Sequence, residues 1–262
     1  MKSGLSYVDP LNFVQHRFLF SALALSPFLI FLKRRVPRDR ETLTRLVLLG
    51  VINALGIVAT NIGLLSEKSG ISAVLTYTQP LFVFCMAVPF LEEKAKASRL
   101  LGVLIGFLGV IALSLWKIGS TVIFTVSNIL LVIGAFLWAL SIVYYKKLLG
   151  HVDSIVTNIF QLAVGVAILT VLNATIGRFL FPLSAAYISI VLYAAVAASS
   201  LGLTLWLYLL RDEEAMVLSS SSFIVPLSAL FFGWLLLGEN IELNSLLGSA
   251  LIITGVYLVN RT

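Results

Sequence analysis

Charge is what this chain of 262 residues has least of: Asp, Glu, Lys and Arg together make up 11%, against 60% hydrophobic residues. A water-soluble domain carries roughly a quarter charged residues, and so few cannot cover the surface of a soluble fold of this size. Cysteine is nearly absent too. One Cys, Cys85, and two His exclude a disulfide framework and a Cys/His metal cluster. Catalytic sets are also missing, with no Gly-x-Ser-x-Gly turn, no Ser/His constellation and no pair of carboxylates within an apolar run. An enzyme therefore has no legible nucleophile and base, and neither a cofactor nor a metal is expected. The opening "MKSGLSYVDPL" has no apolar core of a signal peptide.

What is present is hydropathy, with a mean of +1.05. A membrane-spanning helix needs about 20 mostly apolar residues. Nine candidate segments appear, at about 10–32, 46–65, 71–91, 100–116, 126–145, 154–175, 187–209, 215–237 and 245–260. The reading is an all-α, multi-pass integral membrane protein whose partner is the lipid bilayer. Basic residues orient it. With the loop "KRRVPRDRETLTR" in the cytoplasm, the inner side holds Lys33, Arg34, Arg35, Arg38, Arg40, Arg45, Lys94, Lys96, Arg99, Lys146, Lys147, Arg211 and Arg261. The outer side holds Lys2, Lys68, Lys117 and Arg178, and Arg17 lies within a span. These charges flank spans and lack interleaved aromatics, so they do not point to nucleic acid. None of the twelve Asp and Glu falls inside a span, which leaves no intramembrane carboxylate to couple protons or sodium.

The chain also repeats itself. Shifted by 146 residues, Pro80 meets Pro226, Leu91 meets Leu237, Glu93 meets Glu239, Gly102 meets Gly248, Gly109 meets Gly255 and Gly56 meets Gly202. Further upstream a shift of 144 pairs Lys2 with Lys146, Val8 with Val152 and Asp9 with Asp153. The second half carries a helix, 126–145, before this match, and the first half has no counterpart. The expectation is two repeats, 1–119 and 120–262, together forming one membrane domain. Each is built on five helices, with the first helix of the first repeat absent, through either a late start or true loss. An odd number of helices per repeat inverts the second relative to the first.

At these residues the chain resembles the EamA-like branch of the drug/metabolite transporter superfamily. The resemblance rests on "VDPLNFVQHRFLFSALAL", on "GISAVLTYTQPLFVFCMAVPFLEE" with "LLGVLIGFLGVIAL", and on "AMVLSSSSFIVPLSALFFGWLLLGENIELNSLLGSALIITGVYLV". It covers the whole chain and implies a carrier of small metabolites in the cell membrane with both termini in the cytoplasm, and the expected function is export of such a metabolite. It does not fix the substrate. A truncated or non-transporting scaffold or receptor of the same fold is the competing reading.

Polar residues inside spans are the site candidates. Pro80 and Pro226 suggest paired helix bends, or plain packing. Ser72, Thr76 and Gln79 share one helical face beside Tyr77, and the run "SSSS" includes Ser219 and Ser222. Asn53, Thr60 and Asn61, then Asn158 and Gln161, then Trp138, Ser141 and Tyr145, then Tyr193, Ser200, Thr204 and Trp206 complete the set. Amides, hydroxyls and aromatic rings suit a neutral or zwitterionic small molecule such as an amino acid. The same groups also serve to bond their own helix or to join helices. Arg17 is placed to hold a substrate carboxylate, to snorkel or to pair with Asp9, and His16 beside it is read as interfacial. Gly102, Gly106 and Gly109 form one small-residue stripe, Gly248 and Gly255 another. They serve packing between repeats or a homodimer. Glu93 and Glu239 are expected to cap the helix that follows each.

Overall fold

The computed structural model describes residues 7–34, 36–67, 69–94, 96–115, 125–176, 180–237 and 243–261. Glu239, Lys2, Arg35, Lys68, Lys117 and Arg178 lie outside them. Among the described residues the chain is all-helical, with no strand. In order come α1 (Pro10–Phe31), α2 (Arg40–Ser66), α3 (Ser69–Thr76), α4 (Gln79–Leu91), α5 (Ala97–Leu115), α6 (Val126–Leu149) and α7 (Ser154–Ile176). There follow α8 (Ala185–Ala194), α9 (Leu203–Asp212), α10 (Ala215–Ser220), α11 (Ile224–Leu237) and α12 (Leu243–Asn260). By length and composition seven helical stretches are able to cross a membrane. They are Arg40–Ser66, Gly70–Leu91, Ala97–Ser114, Val126–Leu149, Ser154–Thr175, Ala185–Asp212 and Ala215–Phe232. The expected spans 10–32 and 245–260 are helical as α1 and α12 but fall outside those seven, the apolar part Ser245–Asn260 being short. Large apolar side chains stand outward along these helices, Val171 at 62% and Leu201 at 64% exposure among them. That is the surface of a multi-pass membrane protein, which lipid covers.

The chain divides into two compact units, Met1–Asn61 with Tyr144–Asp212, and Ile62–Val143 with Glu213–Thr262. Each unit therefore joins two segments that are separated in the sequence.

In the first unit α1 packs along α7. The two helices start alike. Asp9 accepts the backbone amides of Leu11 at 3.0 Å and Asn12 at 3.2 Å, and Asp153 accepts those of Ile155 at 3.0 Å and Val156 at 3.3 Å. Such a cap satisfies amides that the first turn leaves free. Pro10, as the first helical residue, gives up an amide with no helical partner in any case. The core here is Leu11, Val14, Phe18, Leu25, Leu162 and Leu169. Gly165 admits the Phe18 ring, because a Cβ there would lie 2.7 Å from it.

In the second unit α5 packs along α12. A Cβ on Gly102 would stand 2.7 Å from the Gly255 carbonyl oxygen, and one on Gly109 would stand 2.7 Å from that of Gly248. These contacts are backbone on backbone, so only glycine fits. Under the 146-residue shift the contact of Gly102 with Gly255 maps onto the contact of Gly248 with Gly109. Around them lie Val74, Val103, Val110, Phe223, Ile252 and Val259.

Three of the expected continuous spans are interrupted. In 71–91 the α-helix stops at Thr76 and resumes at Gln79. Pro80 has no amide hydrogen, so the carbonyl four residues back, on Thr76, is left without its helical donor. Thr78 closes the break by donating its hydroxyl to the Leu75 carbonyl at 2.6 Å. In 215–237 a 3-10 turn, Ser221–Phe223, precedes the helix that carries Pro226. Shifted by 146, the first break at 77–78 falls at 223–224, the end of the second. In 187–209 the middle, Ala195–Gly202, is wound as a π-helix, a form rare enough to mark functional or strained positions.

Candidate functional site

Buried polar side chains gather in each unit, and the two groups differ. In the first, the Gln15 carbonyl oxygen accepts from Asn173 Nδ2 at 2.5 Å, while its amide nitrogen donates to Thr170 Oγ1 at 2.9 Å. Those bonds tie α1 to α7. Asn53 on α2 donates to Gln161 Oε1 on α7 at 2.5 Å. Asn158, fully buried, donates through Nδ2 to the Ser199 carbonyl at 2.9 Å, the Ser200 carbonyl at 3.3 Å and Thr204 Oγ1 at 2.8 Å. The Asn158 amide thus ties α7 to the π turn, whose Ser200 carbonyl also accepts from the Leu203 amide. Ser200 Oγ lies 2.8 Å from Ser21 Oγ on α1. At one end of α1, His16 Nδ1 is 2.7 Å from Tyr187 Oη, and the imidazole edge meets Phe181. His16 is 5% exposed. Bonding to Tyr187 lets the ring lie inside the protein.

Of the residues expected to form a pathway, this unit holds Arg17, Asn61, Asn158, Gln161, Tyr193 and Trp206. They divide by what they touch. Asn61 donates to its own helix's Ile57 carbonyl at 2.8 Å. Tyr193 stands outward, 77% exposed, and Trp206 is half-buried. The Arg17 guanidinium lies over the Phe18 ring at 5.4 Å, and its buried Nε has no hydrogen-bond partner. It does not pair with Asp9, whose carboxylate is taken up by Leu11 and Asn12. Asn158 Oδ1 and Gln161 Nε2, one acceptor and one donor three residues apart on α7, are also buried without partners.

The second unit holds Thr76, Tyr77, Gln79, Trp138, Ser219 and Ser222. Here the serines are satisfied locally. Ser219 donates to the Met216 carbonyl at 3.2 Å and Ser222 to that of Ser219 at 2.7 Å, and Ser220 and Ser221 do the same one residue apart. Tyr77 packs against the apolar core around Val74. Thr76 ends α3, and Trp138, on α6, is 39% exposed. Gln79 is different. It is 1% exposed, it opens α4 directly after the break, and its Nε2 has no partner. Ser72 Oγ, seven residues earlier on the same face, is likewise buried and unpartnered.

Glu93 departs from expectation. It does not cap the following helix α5. Buried to 8% exposure, it accepts the amides of Ala215 at 2.6 Å and Met216 at 3.0 Å, at the start of α10. Next to it Arg99 Nη1 holds Glu214 at 2.5 Å. A carboxylate at a helix N-terminus meets orphan amides and the positive end of the dipole. Outside the spans, Asp39 caps α2 by accepting from Thr42 N at 2.8 Å, and the Thr42 hydrogen bonds hold its carboxyl below the ordinary value.

Sequence reasoning missed Gln15, Ser21, Thr170 and Asn173, although each is a polar residue inside an apolar run. An amide there costs free energy unless paired, which is the signal that would have found Gln15 and Asn173. The π turn has no such signature.

Comparison with known proteins gives one family. Residues 1–115 and 125–261 match the EamA-like transporter family. An uncharacterized transporter of Acidianus ambivalens is 32% identical over 95% of this chain and 92% of its own length. The uncharacterized transporter YoaV of Bacillus subtilis is 26% identical over 98% and 89%. The uncharacterized inner membrane transporter YedA of Escherichia coli is 29% identical over 99% and 84%. A crystal structure at 14% identity superposes with a TM-score of 0.86 over 99% of this chain and 90% of the other, a likeness of fold.

Proposed function

This chain belongs to the EamA-like transporter family of the drug/metabolite transporter superfamily, and from that premise we propose that it moves a small neutral or zwitterionic metabolite, such as an amino acid, out of the cell. The observation that carries the reading is Gln79. Its amide is fully buried, has a free donor, and opens a half-helix at a proline break, with the free Ser72 hydroxyl on the same face. Broken helices that leave polar groups unsatisfied are how membrane carriers build substrate sites. A free N–H donor suits a substrate carboxylate or carbonyl oxygen. Within the other unit, Arg17, Asn158 and Gln161 carry free polar atoms of their own.

We further propose alternating access between two inverted repeats, divided at about residue 119. Three correspondences support it. Asp9 and Asp153 cap α1 and α7 alike. The glycine contacts of α5 and α12 exchange under the repeat shift. The helix breaks before Pro80 and Pro226 fall at matching places. The cytoplasmic membrane is the location proposed, and YedA, described as an inner membrane transporter, supports it.

The test is a metabolite export and uptake screen in cells producing the chain, with Gln79→Ala and Arg17→Ala variants matched for membrane protein amount. The expected result is a changed flux of at least one amino-acid-like compound that Gln79→Ala abolishes. If no flux changes, the chain is a scaffold or receptor of this fold; if flux changes and both variants match the parent, Gln79 and Arg17 are not part of the pathway.

A further inference from the structure

The loop before α2 and the first turns of α2 carry cations of two kinds. Arg34 holds Asp153 at 3.0 Å, and Arg45 is paired with Glu41. Asp39 is engaged by the Thr42 amide. Arg38 and Arg40 are exposed, and among the described residues neither holds a carboxylate. Elsewhere on the basic side, Arg99 and Arg211 each hold one. The two free arginines line one end of a groove of about 380 Å³ whose remaining walls are Leu43, Thr44, Val47 and Leu48.

The groove changes character along its length. Residues 43 and 47, and 44 and 48, are one helical turn apart, so it runs from the charged end along α2 toward the membrane interior. The Thr44 hydroxyl is already bonded to the Arg40 carbonyl at 2.8 Å, which leaves the inner wall apolar. Val47 and Leu48 are 43% and 47% exposed. Two unneutralised guanidinium groups at the head and an open aliphatic wall at the tail match the charge and polarity of one ligand class. A soluble anion would leave the aliphatic wall unused, and a neutral lipid would leave the arginines without a counter-charge.

We propose that this groove binds an anionic phospholipid, its phosphate between Arg38 and Arg40 and one acyl chain along Val47 and Leu48. Guanidinium groups bind phosphate bidentately, and basic pockets at the membrane surface select anionic headgroups. The assignment stands apart from the transport reading: it needs the membrane embedding of α2, not a substrate.

The experiment is native mass spectrometry of the full chain in detergent with phosphatidylglycerol or phosphatidylcholine of the same acyl chains. The expected result is one retained phosphatidylglycerol per chain, bound about tenfold more tightly than phosphatidylcholine, on the scale that basic residues near a membrane surface provide. The Arg38→Gln/Arg40→Gln pair removes that preference. Lys94→Gln, a substitution of an exposed lysine elsewhere, keeps it. Thermal unfolding in detergent confirms that each variant is folded. Equal retention of the two lipids by the parent, or an undiminished preference in the double variant, overturns the proposal. Inorganic phosphate or glycerol 3-phosphate displacing the lipid at matched concentration also overturns it, in favour of a soluble anion. A change of oligomeric state in the double variant without lipid selectivity in the parent overturns it in favour of a second copy of the chain.

Discussion

In one compact unit α1 lies against α7 through side chains that hydrogen-bond across the gap: Gln15 with Thr170 and Asn173. In the other, α5 lies against α12 with no side chain at the closest points, Gly102 on Gly255 and Gly109 on Gly248. Lipid gives two apolar helices no hydrophobic reason to associate, so they must use close packing or polar bonds. The α1–α7 pair adds polar bonds to its packing, and the α5–α12 pair rests on backbone packing at its closest points. The difference matters for motion. An interhelical hydrogen bond in a membrane contributes about 0.6 kcal/mol on average and is readily traded for a bond to water or substrate. A backbone seam cannot loosen without losing contact along its whole length. The first unit thus includes exchangeable contacts between its helices, and the second contains a fixed seam.

The sharpest way to break this comparison is at the seam. A side chain on Gly255 would meet the backbone of Gly102 and Gly106, 2.5 Å from the Gly102 oxygen. Gly255→Leu is expected to lower the yield of monodisperse protein severely, overpacking costing about 3 kcal/mol or more. Gly50→Ala, where the added atom meets only the Val164 side chain, is expected to be milder, and size-exclusion profiles and unfolding temperatures in detergent compare the two. Next comes Glu93→Ala, which strips the buried amides of Ala215 and Met216 of their acceptor. It is expected to destabilise by about 2–3 kcal/mol, read as the loss in thermal unfolding, with Glu93→Gln recovering part of it.

Within the first unit, a double-mutant cycle of Asn53→Leu and Gln161→Leu is expected to give a coupling of about 0.6 kcal/mol. A coupling several times larger would mean that this network is as rigid as the glycine seam. The smallest effect is set by pH. The Thr42 hydrogen bonds lower the Asp39 carboxyl in the folded state, so its contribution is present above the ordinary carboxylate value and is lost as pH falls through the lowered one. Parent and Asp39→Asn unfolding temperatures should therefore converge as the solution is acidified toward and below pH 4, the ordinary carboxylate range.

Much of this was legible beforehand because it follows from local chemistry. Low charge and long apolar runs make a membrane protein whatever the packing. Asp before Pro or Ser at a helix start reads as a cap, and Asp9 and Asp153 are caps. Pro80 marked the helix break, since a missing amide leaves a carbonyl without a donor at a known spacing. The glycine stripes were visible, though whether they met each other or another chain was open. Illegible were the partners of Glu93 and Gln15, which lie 122 and 155 residues or more away along the chain, and the π turn, whose "AVAASSLG" has no distinguishing period. The four serines after Met216 show the reverse limit. Their sequence offered site candidates, and each instead bonds its own backbone three residues back.

The sequence by itself determined that this chain lives in a bilayer, that a helix is interrupted beside Pro80, and which positions are small enough for helices to touch. Those are properties of residue types and their spacing, which act within one or two turns. Only the tertiary structure decided which polar groups remain unspent. Gln79 and Gln161 are the same side chain, each with a buried Nε2 that has no partner, yet Asn53 donates to the Gln161 oxygen and ties it to a neighbouring helix. Whether a buried amide is glue or a waiting donor depends on what the fold brings within 3 Å of it, and that distance is not written along the chain.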